Sequence, residues 1–352
     1  MFVAVNPFKL LLRKRLHYGV RAALALVTGL VAAQFVVADA SASSLTVLMG
    51  DDLAAHSEFV QHLRTGQEPG GRFELVRLSP SGVGGQQTAE AASTEPERVA
   101  NAGVRTRGLR SPPVDMGLTL AVGVPAARAA LDRPGQQPLV LAMLSRLDYE
   151  TLRASSPALR RGDRPVGVLL RDPAMADQLA LVGAVLPQKH RIGVVATPES
   201  EPLVRELQRA AQGATPAWDV QVEYAPDARS LASALHLVVP RSDALMVLPD
   251  QIGDSQAATL AVLRAGAGAG LPVFGASEGL VRSGGLAAAV STPAQLARQA
   301  RLLGQKLAGA SGVPLVEAAT PATVRVNMTV ARGLGLRLPE ERELTERLTV
   351  TR

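Results

Sequence analysis

Short apolar runs alternate with longer amphipathic ones along most of the chain. Runs rich in Val, Leu and Ala read as strands at 45–49, 73–78, 117–122, 138–144, 165–170, 191–196, 219–224, 244–248, 272–276, 286–290 and 323–328. Between them, apolar residues recur at helical spacing over 172–186, 199–212 and 292–309. The last of these opens with Thr292 as a cap and Pro293 at the first helical position. Strands alternating with helices predict parallel sheets built from βαβ units. The strand signals before residue 280 are too many for one sheet of ordinary size. The pattern therefore predicts two sheets, each flanked by helices, with a break in the polar, turn-rich stretch 154–165. Ligands of such folds sit outside the carboxyl ends of the strands, where two lobes can enclose a cleft.

The rhythm fails in two places. Residues 79–113 are rich in Gly, Ser, Pro and charge and read as a long surface loop inside a lobe, with one helical turn near 95–102. At the start of the chain, Lys9, Arg13, Lys14, Arg15 and Arg21 precede the apolar run 22–37, and "ADASAS" follows. A cationic stretch, an apolar stretch and a small-residue site predict a secretory signal peptide over 1–40, cut after Ala40 or Ala42. An uncleaved anchor is the other reading, but the apolar run falls short of the ~20 residues a bilayer needs. The mature protein is expected to be exported, to the periplasm where the cell has two membranes, with no stable membrane insertion once the signal is cut.

Composition narrows the function classes. The formal net charge is +6, and most of it falls within the first forty residues. No basic run is interleaved with aromatics, so nucleic acid is not an expected partner. The chain has no cysteine, which excludes a lipid-anchored export signal, disulfides and cysteine-based metal sites. Aromatics make up 3%, so the core must be aliphatic. No metal or cofactor is expected. "GAGAG" (266–270) follows a helix, whereas a dinucleotide loop follows a strand. His56 and His62, six apart, would face different sides of a helix and read as surface residues. Glu340, Glu341 and Glu343 read as one solvated face.

The sharpest chemical signal is "GASEG" (275–279), a match to the G-x-S-x-G elbow of serine hydrolases. An elbow serine needs a histidine later in the chain. All five histidines precede Ser277, and Gly284-Gly285 end the helix early. Ser277 therefore reads as a helix N-cap with Glu278 in the first turn, and the same hydroxyl could also hold a polar ligand group. The strand-to-helix turn at Gly123 could hold an anion or be an ordinary turn. Asp172 reads as an N-cap before Pro173, with Arg171 as a charged neighbour. Asp250, just past a strand, could meet a ligand ammonium or simply form a turn.

The order of motifs carries a resemblance. "VDMGLTLAVGVPAARAAL", "LRDPAMADQLALVGAVLPQKHRIGVVATPES", "LMVLPDQIGDS", "LPVFGASEGLVRSGGLAAAV" and "VRVNMTVARGLGLRLPEE" resemble, in sequence, the ABC-transporter substrate-binding proteins linked to tryptophan and tyrosine uptake, in a divergent proteobacterial branch. The resemblance spans about 115–340. It implies an α/β fold of the type I periplasmic-binding kind, two Rossmann-like lobes joined by three hinge crossings near 162–166, 284–287 and 318–323. Lobe 1 would comprise 44–163 plus 287–317, and lobe 2 would comprise 164–283 plus 321–348. It further implies ligand contacts at Gly123, Ser145, Asp172, Glu199, Ser200, Asp250, Ser277 and Glu278, a small-molecule ligand, an ABC permease as partner, and no enzymatic activity. An exported sensory or interaction module with the same fold is the alternative.

Overall fold

The computed structural model describes residues 44–67, 70–78, 117–307, 310 and 312–350. The expected signal peptide and the expected loop 79–113 lie outside them.

The chain first builds β1 (Ser44–Met49), α1 (Ala54–Thr65), β2 (Arg72–Arg77), β3 (Leu118–Val122), α2 (Gly123–Asp132), β4 (Leu139–Leu144), α3 (Arg146–Ser155), the single turn α4 (Ala158–Arg161) and β5 (Val166–Pro173). It then enters a second body through α5 (Met175–Val185), β6 (Arg191–Ala196), α6 (Glu201–Gly213), β7 (Asp219–Tyr224), α7 (Ala228–Val238), β8 (Ala244–Val247), α8 (Gln251–Asp254), α9 (Gln256–Ala269), β9 (Val273–Gly275), α10 (Glu278–Arg282) and β10 (Ala287–Val290). It returns to the first body with α11 (Pro293–Lys306) and β11 (Leu315–Ala319), and ends in the second with β12 (Thr323–Val326), α12 (Met328–Gly333) and α13 (Glu341–Val350).

Two six-stranded sheets result, ordered β11-β5-β4-β3-β1-β2 and β12-β10-β9-β8-β6-β7. Every pairing is parallel except β10 with β12. The reason lies in the strands' own sequences. A parallel strand is covered on both faces and reads as a continuous apolar run. Successive residues point to opposite faces, so Val47, Leu120 and Val140 pack with Phe59, Leu63 and Leu303 on one side. Leu48, Ala121 and Leu141 pack with Ala127 and Leu152 on the other. The second sheet repeats this. Val194 and Met246 join Leu179, Leu203 and Leu344, while Val195 and Leu245 join Leu235 and Val262. The cores are aliphatic, as the composition required.

The first two crossings fall later than the sequence implied, and the third falls within the expected 318–323. The strand at 166–173 pairs with β4 and β11, so it belongs to lobe 1 and the first crossing follows Pro173. The expectation near 162–166 took a polar, turn-rich stretch for a boundary; that stretch is only the α3–α4–β5 connection. β10 pairs with β9, which puts the second crossing between Val290 and Pro293. The third runs between Ala319 and Thr323. β11 was not read as a strand, since it is a half-exposed edge carrying Glu317. Gln178 of α5 donates from Nε2 to the Ala289 carbonyl (2.8 Å) and accepts from the Ala289 amide (3.2 Å). The start of the first crossing helix is thereby paired with the last strand before the second crossing. Among the described residues, no helix is long and apolar enough to cross a membrane.

Candidate functional site

Each sheet reverses its strand order once, between β1 and β3 in lobe 1 and between β6 and β8 in lobe 2. The loops leaving the carboxyl ends of those strands diverge and open a crevice, the default place for a ligand. In lobe 1 the crevice is walled by Asp51 after β1, His56 in the first turn of α1, and Gly123 opening α2. In lobe 2 the strand ends at that point carry Thr197 and Ser200 after β6 and Asp250 after β8, all three buried.

The lobe 2 group is a closed network. Ser200 Oγ donates to Asp250 Oδ2 (2.5 Å) and lies 2.8 Å from Thr197 Oγ1. Asp250 Oδ1 accepts from the amides of Ile252 and Gly253. Asp250 is 2% exposed and Ser200 fully buried. Burial raises the Asp250 carboxyl above its ordinary range, opposed by the Ser200 and backbone hydrogen bonds. This network caps α8 and ties β6 to β8. Ser145 is likewise committed to a capping box with Asp148, its Oγ donating to Asp148 Oδ2 (2.7 Å) and accepting from the Asp148 amide.

The crevice continues along lobe 2 into a cavity of about 510 Å³. Arg171 and Asp172 line it from the end of β5, and Pro249, Thr259, Ala276 and Ser277 line it from lobe 2. Asp172 is not the helix cap that its sequence context implied. β5 continues through Pro173 and α5 begins at Met175 with Ala174 before it. Its Oδ2 is buried without a hydrogen bond, 3.5 Å from Arg171 Nε. Burial pushes its carboxyl up to about 6, against the pull of Arg171 and with smaller pushes from Asp254 and Asp148. Ser277 caps α10 by accepting from the Leu280 amide (3.1 Å), and its residue stands exposed at the cavity edge. Glu278 is turned to Arg282 (3.3 Å) and Arg325 (3.9 Å), while Glu199 is exposed on a short 3-10 turn. No histidine lines the cavity that Ser277 edges.

Elsewhere the lobes touch directly. Arg146 Nη2 reaches Glu206 Oε2 of α6, Glu206 Oε1 accepts from the Met175 amide (3.1 Å), and Leu147 packs on the lobe 2 core. A wider recess, about 1140 Å³, lies around His190 and Trp218. Those residues precede β6 and β7, so this recess sits at the amino ends of the strands, away from the switch point.

One histidine expectation changes. His62 is half-buried, but His56 is 6% exposed. Its Nδ1 lies 2.5 Å from Asp51 Oδ1. A Cβ built on Gly123, whose φ is +79°, would lie 2.8 Å from His56 Cε1 and 3.2 Å from Asp51 Oδ2. Spacing alone could not find this trio, which spans two loops on two faces of the sheet.

Two doubly wound lobes, crossed three times and walled by strand ends, define a type I periplasmic-binding fold. Residues 157–345 match the family of ABC transporter substrate binding proteins. That is more than half of the chain, and the chain belongs to this family. Its structure is similar to a ligand-free, open substrate binding protein with adhesive properties from Clostridium difficile (16% identity, 85% of this chain and 96% of that one, TM-score 0.58). It is also similar to a conserved domain protein from Vibrio cholerae (20% identity, 87% and 98% covered, TM-score 0.51). At these identities the likeness is one of fold. No curated protein matches the sequence.

Proposed function

We propose that the protein is an exported solute-binding protein that captures a small polar molecule between its lobes and presents it to an ABC permease in the inner membrane. The observation that carries this reading is the cavity at the carboxyl ends of the strands, lined from β5 of lobe 1 and from the β8 and β9 ends of lobe 2. A guest that touches both lobes favours whichever lobe arrangement gives it both sets of contacts, and only such differential affinity can drive closure. The lining supports capture: Asp172 and Ser277 offer hydrogen-bonding groups, and no histidine lines the cavity beside the serine. Periplasmic location rests on the expected signal peptide, and the permease on the family.

A thermal-shift screen of the purified protein against amino acids, small acids, nucleosides and sugars tests the proposal, because a ligand bound by the native state alone raises the melting temperature. A rise of several degrees with one chemical class is expected. A flat response across all classes overturns solute capture.

A further inference from the structure

Asp172 stands at the end of β5 and lines the cavity of about 510 Å³, a volume suited to a small guest. Its Oδ2 is shut off from solvent and meets no hydrogen-bond donor. Arg171 Nε lies 3.5 Å from that oxygen, too far for a good hydrogen bond. About a fifth of the side chain stays open, 20% by area, and a carboxylate is chemically the same at both oxygens. Turning about its last torsion, which is broad and two-fold, brings the unmet oxygen round to the cavity. A carboxylate held in a shielded place without donors is costly, and a donor arriving in the cavity relieves that cost.

The charges lining the cavity do not balance. Among the described residues, Arg171 is the one lining cation, against the carboxylates of Asp172 and Asp254. Arg171 is divided between the two, 3.5 Å from Asp172 and 4.0 Å from Asp254. One negative charge is left over. Burial lifts the Asp172 carboxyl to about 6, Arg171 pulls it down, and Asp254 of α8 and Asp148 of α3 push it up. A guest cation would bring the missing charge to a wall partly shielded from water, where the attraction is stronger than in bulk solvent. A guest carboxylate would have to take Arg171 from two partners and face both of them. No aromatic side chain is among the described residues lining the cavity, so charge and not ring stacking holds the guest there.

We propose that the solute is a cation, a primary amine or a guanidine, whose charged nitrogen donates to the Asp172 carboxylate in the cavity between the end of β5 and the ends of β8 and β9. This rests on the solute-capture reading and deepens it by naming the ligand class. Asp172 is the recognition residue of lobe 1. Gln256 and Ser277, both exposed and both lining the cavity from lobe 2, offer hydrogen bonds to the rest of the guest. Only the ionised carboxylate attracts a cation, so affinity rises with pH through about 6 and levels off above it. Amines and guanidines stay charged across that range.

The test uses probe pairs of nearly equal shape on the purified protein: putrescine and 1,4-butanediol, L-arginine and L-citrulline, benzylamine and benzyl alcohol. Succinate serves as an anion and D-ribose as a neutral sugar. Melting shifts and calorimetric affinities are measured at pH 5 and pH 7.5. At least one cation is expected to bind, and the partner lacking that charge at least tenfold more weakly. Affinity for the cation should rise about tenfold from pH 5 to pH 7.5. Asp172→Asn keeps the shape and removes the charge. It should lose at least tenfold for the cation, lose the pH dependence with it, and leave the less charged partner nearly unchanged. A merely structural Asp172 would shift the melting point without moving that profile. Equal binding within every pair, a flat wild-type pH profile, or wild-type affinity for the cation in Asp172→Asn overturns the proposal. Binding of succinate or ribose alone overturns it while leaving solute capture standing. Silence across all probes overturns both. An Asp172→Asn variant that melts well below the wild type without any probe is replaced by Asp172→Ser, read against the same criteria.

Discussion

Arg146 in lobe 1 and Glu206 in lobe 2 meet at 3.2 Å, each with only about a fifth of its side chain exposed. The same carboxylate accepts from the amide of Met175, the first residue of the helix that follows the first crossing. One side chain thus joins three elements: α3 and α6, on opposite lobes, and the start of α5 beyond the crossing.

Glu206→Ala removes an ion partner and leaves the Met175 amide without an acceptor. It is expected to destabilise by about 2–4 kcal/mol, because a group left buried and unpaired bears its full desolvation cost. Glu206→Gln keeps an acceptor for Met175 and should lose about half as much. A double-mutant cycle with Arg146→Met, measured by urea unfolding, should give a coupling of about 1 kcal/mol or more. A coupling near zero would mean that the pair does not hold the lobes.

Asp172 gives a pH signature. Its folded-state carboxyl lies at about 6 against an ordinary 3.8. Between those values the native state binds more protons than the unfolded chain, so this residue makes the protein less stable as pH rises through the window. Asp172→Asn removes that slope. The variant should be more stable than the wild type at pH 8 by about 1–3 kcal/mol and nearly equal to it below pH 4. Chemical unfolding at the two pH values checks the sign.

Asp250 and Ser277 should separate by role. Asp250→Ala strips a buried network of its acceptor and should cost about 3 kcal/mol even without ligand. Ser277→Ala removes one exposed cap, worth about 1 kcal/mol. A melting-temperature drop for Asp250→Ala no larger than that for Ser277→Ala would show that the network is not structural.

Gly123→Ala combines two faults, a positive φ and a collision with the His56 ring. It is expected to cost about 1–3 kcal/mol. In a His56→Ala background the collision disappears and only the backbone strain remains, so the penalty should fall measurably. Equal penalties in the two backgrounds would show that the ring and Gly123 do not compete for the same space.

These residues also show what the sequence can and cannot disclose. The alternation of apolar runs and amphipathic stretches announced nearly every strand and the two-sheet plan, because parallel strands buried on both faces leave an uninterrupted aliphatic imprint. β11 left none, being a partly exposed edge with a charge in it. Crossings are equally quiet: whether 166–173 pairs with β4 or with β6 depends on partners far along the chain, not on its own residues. Caps were legible at Ser277, where a strand, a hydroxyl and a short helix follow one another. At Asp172 the same local grammar misled, since a strand ran on through the proline. Met143 was invisible in the sequence. It takes φ +61° beside a shift in the β4–β5 register, just before Ser145, a conformation that nothing about methionine foretells. His56 escaped because its partners, Asp51 and Gly123, converge from two loops.

The pairing of Gln178 with Ala289 bears on how the molecule flexes. Two of the three connections leave lobe 2 from elements stitched together by a buried amide, so they cannot bend separately without tearing two hydrogen bonds. Any bend at one of these two connections is thereby felt at the other.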